Sequence, residues 1–339
     1  MVSIDDVARH AGVSTATVSR ALSGRGHVSD VTRARVESAA KALGYVVSSS
    51  ASSLASGRTR NIGVLVPYLD RWFFSTVLSG VASALTRRGY DITLYNLTAD
   101  RDARRSIFET FLRRQRVDGV IAISIELGEQ ETDRLLELGL PVIAIGGPNA
   151  RLTTLTVDDL AVARLATEHL LALGHREIAH IGASPEFDID FHIPTHRRQG
   201  FEHALADAGI PDRSALYEPA DFTVAGGFRA AKQLLGRPGE RPTAIFAASD
   251  EMAIGALLAA RDLGYRVPED LSIVGIDGHE LGDFFRLTTV DQFPLGQGER
   301  AADAILAELE AKDAGSAPVP PGPLPFELIV RGSTARLAS

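Results

Sequence analysis

Near the start of the chain the apolar positions recur with helical spacing. Ile4, Val7, Ala8 and Ala11 fall at i, i+3, i+4 and i+7, which is one face of a short helix. Ser3 and Asp6 make a capping-box pattern with Asp in the acidic place, and Gly12 suits a left-handed helix end. Ser14 caps a second predicted helix, in which Val18, Ala21 and Leu22 face inward and Thr15, Ala16, Ser19 and Arg20 face out. Ser29 opens a third over 30–43, with Val36, Ala39, Ala40 and Leu43 on its apolar face and Gly44 at its end. Helix, glycine-containing turn, helix is the helix-turn-helix arrangement. Three such helices make a small, all-α core.

Over 46–61 the pattern gives way to "VVSSSASSLASGRTRN", which reads as a linker. Within it Ala51, Leu54 and Ala55 sit at i, i+3 and i+4, with Ser48 placed to cap them. A helix of about eight residues is unstable alone in water. It can form if a second copy and DNA bury its apolar face.

From Asn61 onward, short β-rich runs such as "NIGVLVP", "VDGVIAI", "LPVIAIG", "EIAHIGA", "TAIFAASD" and "LSIVGIDG" alternate with helical patterns at 76–88, 162–173 and 252–263; a final helix is read over 300–312. Such repeats predict an α/β fold with parallel sheets covered on both faces. The remainder is long for one open sheet, so two similar lobes with a cleft between them are expected. The predicted organisation is a helix-turn-helix domain over 1–46, a hinge helix or linker over 47–60, and a two-lobed domain over 61–339. Its N-lobe covers about 61–159 plus 292–323, and its C-lobe about 160–291 plus 324–339.

Charge changes the picture. The 339 residues carry a formal net charge of -8. The first sixty hold eight Lys or Arg and four Asp or Glu, so this part alone is basic. A polyanion responds to that local balance, because screening acts over roughly 8–10 Å. There are no cysteines, which excludes disulfides, thiolate metal sites and a Cys nucleophile. No apolar run is long enough for a membrane span, and the opening "MVSIDDVARH" has no export-signal pattern. A cytoplasmic protein is expected.

The second helix has the chemistry of a groove reader. Small side chains let a backbone approach the major groove; Thr15 and Ala16 can touch base edges, and Arg20 can fork onto guanine. Ser14, Thr17 and Ser19 suit phosphates, which position a protein without specifying sequence. In the larger part, predicted strands end on polar or aromatic residues: Phe73 and Phe74 after the first, Asp250 after "AIFAAS", Asp277 in "SIVGIDG". Ligands of such sheets bind beyond the carboxyl ends of the strands. Rings that stack on C–H faces and carboxylates that accept hydroxyl protons suit a sugar.

The stretches "IDDVARHAGVSTATVSRALSG", "HVSDVTRARVESAAKALGY" and "SASSLASGRTRNIGVLVP" resemble the LacI/GalR family of transcription regulators. The likeness continues through "HRRQGFEHALADAGI", "ASDEMAIGAL", "VPEDLSIVGIDG" and "FELIVRGST" to the end. The resemblance implies a homodimer on pseudo-palindromic double-stranded operator DNA, and an effector domain like the type I periplasmic sugar-binding proteins. It implies base contacts at Thr15, Ala16 and Arg20 and a phosphate contact at His27. It also implies a hinge helix whose Leu54, with Ala51 on the same face, enters the minor groove. Effector contacts are implied at Phe73, Phe74, Asp159, Arg197, Phe222 and Asp277. One departure is Val47-Ser48, where many relatives have Pro-Asn.

"SPEFDIDFHIPTH" (184–196) is rich in acids and rings, which makes Asp188, Asp190 and Phe191 expected specificity residues; "GSAPVPPGPLP" (315–325) reads as an exposed connection. No leucine-rich tail follows the last strand, so a dimer is expected. No HExxH, GxSxG or GxxxxGK[ST] pattern occurs, and His175 and His180 do not share a helical face. Neither an enzyme nor a cofactor or metal is expected. The effector reading stays open between a sugar, the leading choice, and a nucleobase. A transport-type binding protein and an α/β enzyme remain the alternatives to gene control.

Overall fold

The computed structural model describes residues 2–23, 27–45, 58–97, 101–114, 116–147, 149–183, 192–211, 216–238, 241–317 and 321–337. Most of the expected hinge, with Ala51 and Leu54, and the segment holding Asp188, Asp190 and Phe191 lie outside these residues. By internal contacts the chain forms two units, 1–60 with 116–118, and 61–115 with 119–339.

The first unit holds α1 (Ile4–Ala11), α2 (Thr15–Ser23) and α3 (Asp30–Leu43). Each end follows from its caps. The Ser3 and Asp6 side chains exchange bonds with each other's backbone N–H, and Gly12 takes the left-handed conformation at φ 62°. Ser14 accepts from Thr17 N–H at 3.2 Å, Ser29 accepts from Thr32 N–H at 3.3 Å, and Gly44 ends α3 at φ 64°. Val7, Val18 and Val36 meet in a core with Ala8, Ala11, Ala21, Ala39 and Ala40. Arg33 of α3 donates to Ala21 O at 2.8 Å, satisfying a carbonyl that the end of α2 leaves without a helical partner.

The second unit contains two sheets. The N-lobe sheet orders β2 (Asp91–Asn96), β1 (Asn61–Val66), β3 (Gly119–Ile123), β4 (Val142–Gly146) and β5 (Thr153–Thr156), all parallel. The C-lobe sheet orders β11 (Glu327–Ile329), β10 (Thr288–Asp291), β9 (Ser272–Asp277), β8 (Ala244–Ala247), β6 (Ile178–Ala183) and β7 (Tyr217–Ala220). From β7 to β10 it repeats the winding of the N-lobe. Strand β11 departs from the expected parallel arrangement: it pairs antiparallel with β10, because the chain reaches it directly from the N-lobe without a crossover helix in the C-lobe.

Helices α4 (Trp72–Arg87), α5 (Arg101–Ser106), α6 (Glu129–Glu137), α7 (Asp159–Ala172), α8 (Ile193–Asp207), α9 (Val224–Gly236), α10 (Asp250–Asp262) and α11 (Pro294–Ala314) complete the lobes. Helices α4 and α11 touch backbone to backbone. A Cβ on Gly80 would stand 2.1 Å from Leu295 O, and one on Gly298 2.0 Å from Val77 O, so the pair depends on two residues without side chains. The connection at 315–325 is not simply exposed. Leu324 is buried in the N-lobe core, and its N–H donates to Thr156 O at 2.9 Å. Among the described residues no helix is long and apolar enough to cross a membrane.

Candidate effector cleft and DNA-reading surface

On α2 the two faces separate cleanly. Val18 and Ala21 are buried, while Thr15, Ala16, Ser19 and Arg20 are exposed. Ser14 is exposed and Thr17 half-buried; their hydroxyls share a hydrogen bond of 2.9 Å. His27 is exposed. The outer face of α2 is therefore narrow and hydroxyl-bearing, as entry into a groove requires.

One cleft in the second unit gathers residues from the carboxyl ends of nearly every parallel strand. After β1 come Tyr68, Arg71, Phe73 and Phe74; after β3, Ser124; after β5, Val157 and Asp159. The C-lobe supplies Ile193, Pro194 and Arg197 from α8, Asp221 and Phe222 after β7, Ser249 and Glu251 around the start of α10, and Asp277 at the end of β9. Gln292 and Gln297 close the floor after β10. This is where open parallel sheets bind ligands. Three non-glycine lining residues hold positive φ, Ser124 at 45°, Phe222 at 56° and Asp277 at 129°. Non-glycine residues in that region are strained, and such strain collects at binding sites.

Six of the seven expected effector residues, Phe73, Phe74, Asp159, Arg197, Phe222 and Asp277, line this one cleft. Asp250 does not. It is fully buried, its Oδ2 accepts from His279 N–H at 2.8 Å, and its Oδ1 presses on the backbone of Gly275, where a Cβ would come within 2.1 Å. Its neighbours Ser249 and Glu251 face the cleft instead. Tyr68, Arg71, Ser124, Asp221, Glu251, Gln292 and Gln297 were not anticipated. Arg71 and Glu251 sit next to anticipated residues; Gln292 carried no local signal.

Arg197 organises the floor. Its Nε donates to Asp159 Oδ1 at 2.8 Å and its Nη1 to Ala248 O at 2.5 Å, and Asp277 Oδ1 lies 3.8 Å from Nη1. Gln292 Nε2 donates to Asp277 Oδ1 at 2.9 Å, and Gln297 Nε2 to Gln292 O at 2.8 Å. Burial pushes the Asp277 carboxyl up to about 7 although Arg197 opposes the shift; burial and the nearby Asp277 charge raise Asp250 well above the carboxylate range. Phe73 and Phe74 meet edge to face, with centroids 5.6 Å apart at 88°. The cleft thus offers ring faces beside acceptors and amides. Among the described residues no group of three or more His, Asp or Glu is arranged to hold a metal ion.

Residues 3–48 match the family described as bacterial regulatory proteins, lacI family, and residues 167–334 match the periplasmic binding protein-like domain. The HTH-type transcriptional repressor PurR of Mannheimia succiniciproducens is 34% identical over the whole of both chains. The chain belongs to the LacI family. Among solved structures, the lac repressor dimer bound to operator and the anti-inducer ONPF is 28% identical, covers 98% of this chain and 99% of its own, and has a TM-score of 0.84. A transcriptional regulator CelR–cellobiose complex is 30% identical, covers 98% and 100%, and has a TM-score of 0.70. As a LacI-family protein this chain is a DNA-binding transcriptional regulator, a member of a family of regulators and not of enzymes. Its helix-turn-helix unit and its two-lobed domain are the two parts that the family combines.

Proposed function

We propose that this chain is a cytoplasmic repressor that binds a pseudo-palindromic operator as a homodimer and is controlled by a sugar held between its lobes. The observation that carries the effector reading is the cleft itself. Phe73, Phe74 and Phe222 offer faces to C–H groups, while Asp159, Asp221 and Asp277 accept from hydroxyls. A relative solved with cellobiose supports the same class. Thr15, Ala16 and Arg20 read bases; Ser14, Thr17, Ser19 and His27 hold phosphates; Ala51 and Leu54 meet the minor groove at the centre of the site. Ligand binding shifts the two lobes and with them the linkers, which changes how readily both reading heads engage DNA.

A nucleobase is the second reading, supported by the same aromatic rings. The deciding experiment is a thermal-shift screen of sugars and nucleobases, followed by operator binding with and without each hit at two salt concentrations. A sugar that stabilises the protein and changes operator affinity is the expected result. A nucleobase that does both, with no sugar active, selects the second reading.

A further inference from the structure

A ring contact bridges the two lobes. Trp72, half-buried in the first turn of α4, stacks on His279, which follows β9 in the C-lobe; the ring centroids are 4.3 Å apart and the planes meet at 23°. Each ring is fixed to its own lobe. Helix α4 is bound to α11 through the close approach at Gly80 and Gly298. His279 N–H donates to Asp250 Oδ2 at 2.8 Å, and Leu281 N–H donates to His279 Nδ1 at 3.0 Å, which holds the imidazole in this orientation. The residues beyond it are braced as well. Gly282 N–H donates to His279 O at 2.7 Å, and Arg331 donates to Asp283 Oδ1 at 2.7 Å and to Leu287 O at 2.8 Å.

Neither ring lines the cleft, but both adjoin its walls. Trp72 directly precedes Phe73 and Phe74, and His279 comes two residues after Asp277; all three neighbours line the cleft. Asp250, which holds His279, stands between the cleft residues Ser249 and Glu251. Arg197 and Asp277 on the floor are buried, so a ligand reaches them only when the lobes part. The chain crosses between the lobes after β5, after β10 and before β11. Rotation about these crossings separates two rings anchored on opposite lobes. A stacked ring pair shifts an equilibrium by roughly two- to ten-fold, which is enough to bias two lobe arrangements of similar free energy.

We infer that Trp72 and His279 form a clasp between the lobes: stacked, it holds them in the arrangement described above, and its parting distinguishes two states that bind operator unequally. Neither residue touches the effector, so both are positioning residues. This rests on the proposed control of operator binding by lobe movement and names a contact through which that control acts.

The chain has a single tryptophan, so its emission reports this contact alone. The test uses the full chain without any effector, with operator affinity read by anisotropy on a duplex selected from a random library. Trp72→Ala and His279→Asn should change that affinity in the same direction, by about two- to ten-fold; the Asn oxygen can still accept from Leu281 N–H. Trp72→Phe keeps a stacking ring and should stay within about two-fold of wild type. The double variant Trp72→Ala/His279→Asn should shift affinity no further than either single variant, because one shared contact is lost. Titrating the same duplex should change Trp72 emission in wild type and not in His279→Asn, a reading that stands even if Trp72→Ala folds poorly. Unchanged operator affinity in both single variants, additive effects in the double, or equal emission changes in wild type and His279→Asn overturn the clasp. Neutral monosaccharides and nucleobases added to wild type then test effector control separately. A clasp that passes, with no response of operator affinity to any of these probes, overturns the effector reading alone.

Discussion

Asp118 holds Thr59 by two hydrogen bonds, from its N–H at 2.8 Å and from its hydroxyl at 2.9 Å, both to Oδ1. The other oxygen accepts from Arg60 N–H at 2.8 Å, and Arg60 sits at φ 51°. Asp118 is only 9% exposed. One carboxylate thus fixes the last residues of the linker before β1 begins. Hydrogen bonds to a charged group contribute about 1.5–3 kcal/mol each. Asp118→Ala should lower the melting temperature and weaken the change in operator affinity on adding effector. Asp118→Asn keeps one acceptor and should recover part of both. Unchanged operator response in Asp118→Ala would remove the clamp from the signalling path.

The Arg197–Asp159 pair predicts an asymmetry between variants. Its side chains are 6% and 10% exposed. Removing one partner of a buried pair strands the other and costs about 3–5 kcal/mol. Arg197→Ala should therefore lose both effector binding and stability, measured by denaturant titration. Asp159→Asn, which still accepts a hydrogen bond, should lose less stability while weakening effector binding. Equal stability losses would show that the pair does not hold the floor together.

Much of the helix-turn-helix unit was legible because its signals are local. Ser3 with Asp6, Val18 with Ala21, and Gly12 and Gly44 each act within a few residues. The cleft was legible only in part. Helical patterns read from apolar spacing began late, at 76 for α4 and 252 for α10, because Phe73, Phe74 and Glu251 in the preceding turns line the cleft and Asp250 sits against Gly275 of β9. Asp250 was misplaced for the same reason: a strand ending in Ser-Asp does not reveal which of three successive residues points inward. Strands β5 and β10 went unseen because "TTLT" and "TTVD" have no apolar run, although Thr288 and Thr289 are fully buried.

His180 makes stability depend on acid. It is stacked on Phe246 at 4.7 Å and Phe201 at 5.0 Å, its Nδ1 bonds Phe246 O, and burial brings its pKa from 6.5 down to about 4. The folded state binds the proton less readily than the unfolded state. The stability tied to the neutral ring is thus complete above pH 6.5 and is lost as pH falls toward 4, about 3 kcal/mol in all. His169 and His175, also lowered by burial, act in the same direction. Denaturant melts at pH 7 and pH 4.5 should show a smaller acid loss for His180→Phe than for wild type. Parallel losses would assign the acid sensitivity elsewhere.

Phe284 is 84% exposed and Leu281 41% exposed, close together on the connection between β9 and β10. Covering such a patch with a second copy fits the proposed homodimer. Phe284→Asp should shift the mass seen by light scattering toward the monomer and weaken operator binding several-fold, since one reading head then binds without the other. A dimer of unchanged stability would place the interface on another face.

Arg20 and Arg33 separate reading from positioning. Arg20 lies on the exposed face of α2, whereas Arg33 spans from α3 to Ala21 O and sets the angle at which α2 ends. A bidentate contact to guanine discriminates by about 1–3 kcal/mol at one base pair. Arg20→Ala should therefore relax preference at a single position in each half-site, with other positions still read. Arg33→Ala should lower affinity for all sequences by a similar factor, because it tilts the whole helix. Both outcomes are read from binding to a library of single-base operator variants at fixed salt. A uniform loss for Arg20→Ala would make that residue a phosphate clamp, and specificity would then rest on Thr15, Ala16 and the deformability of the operator centre.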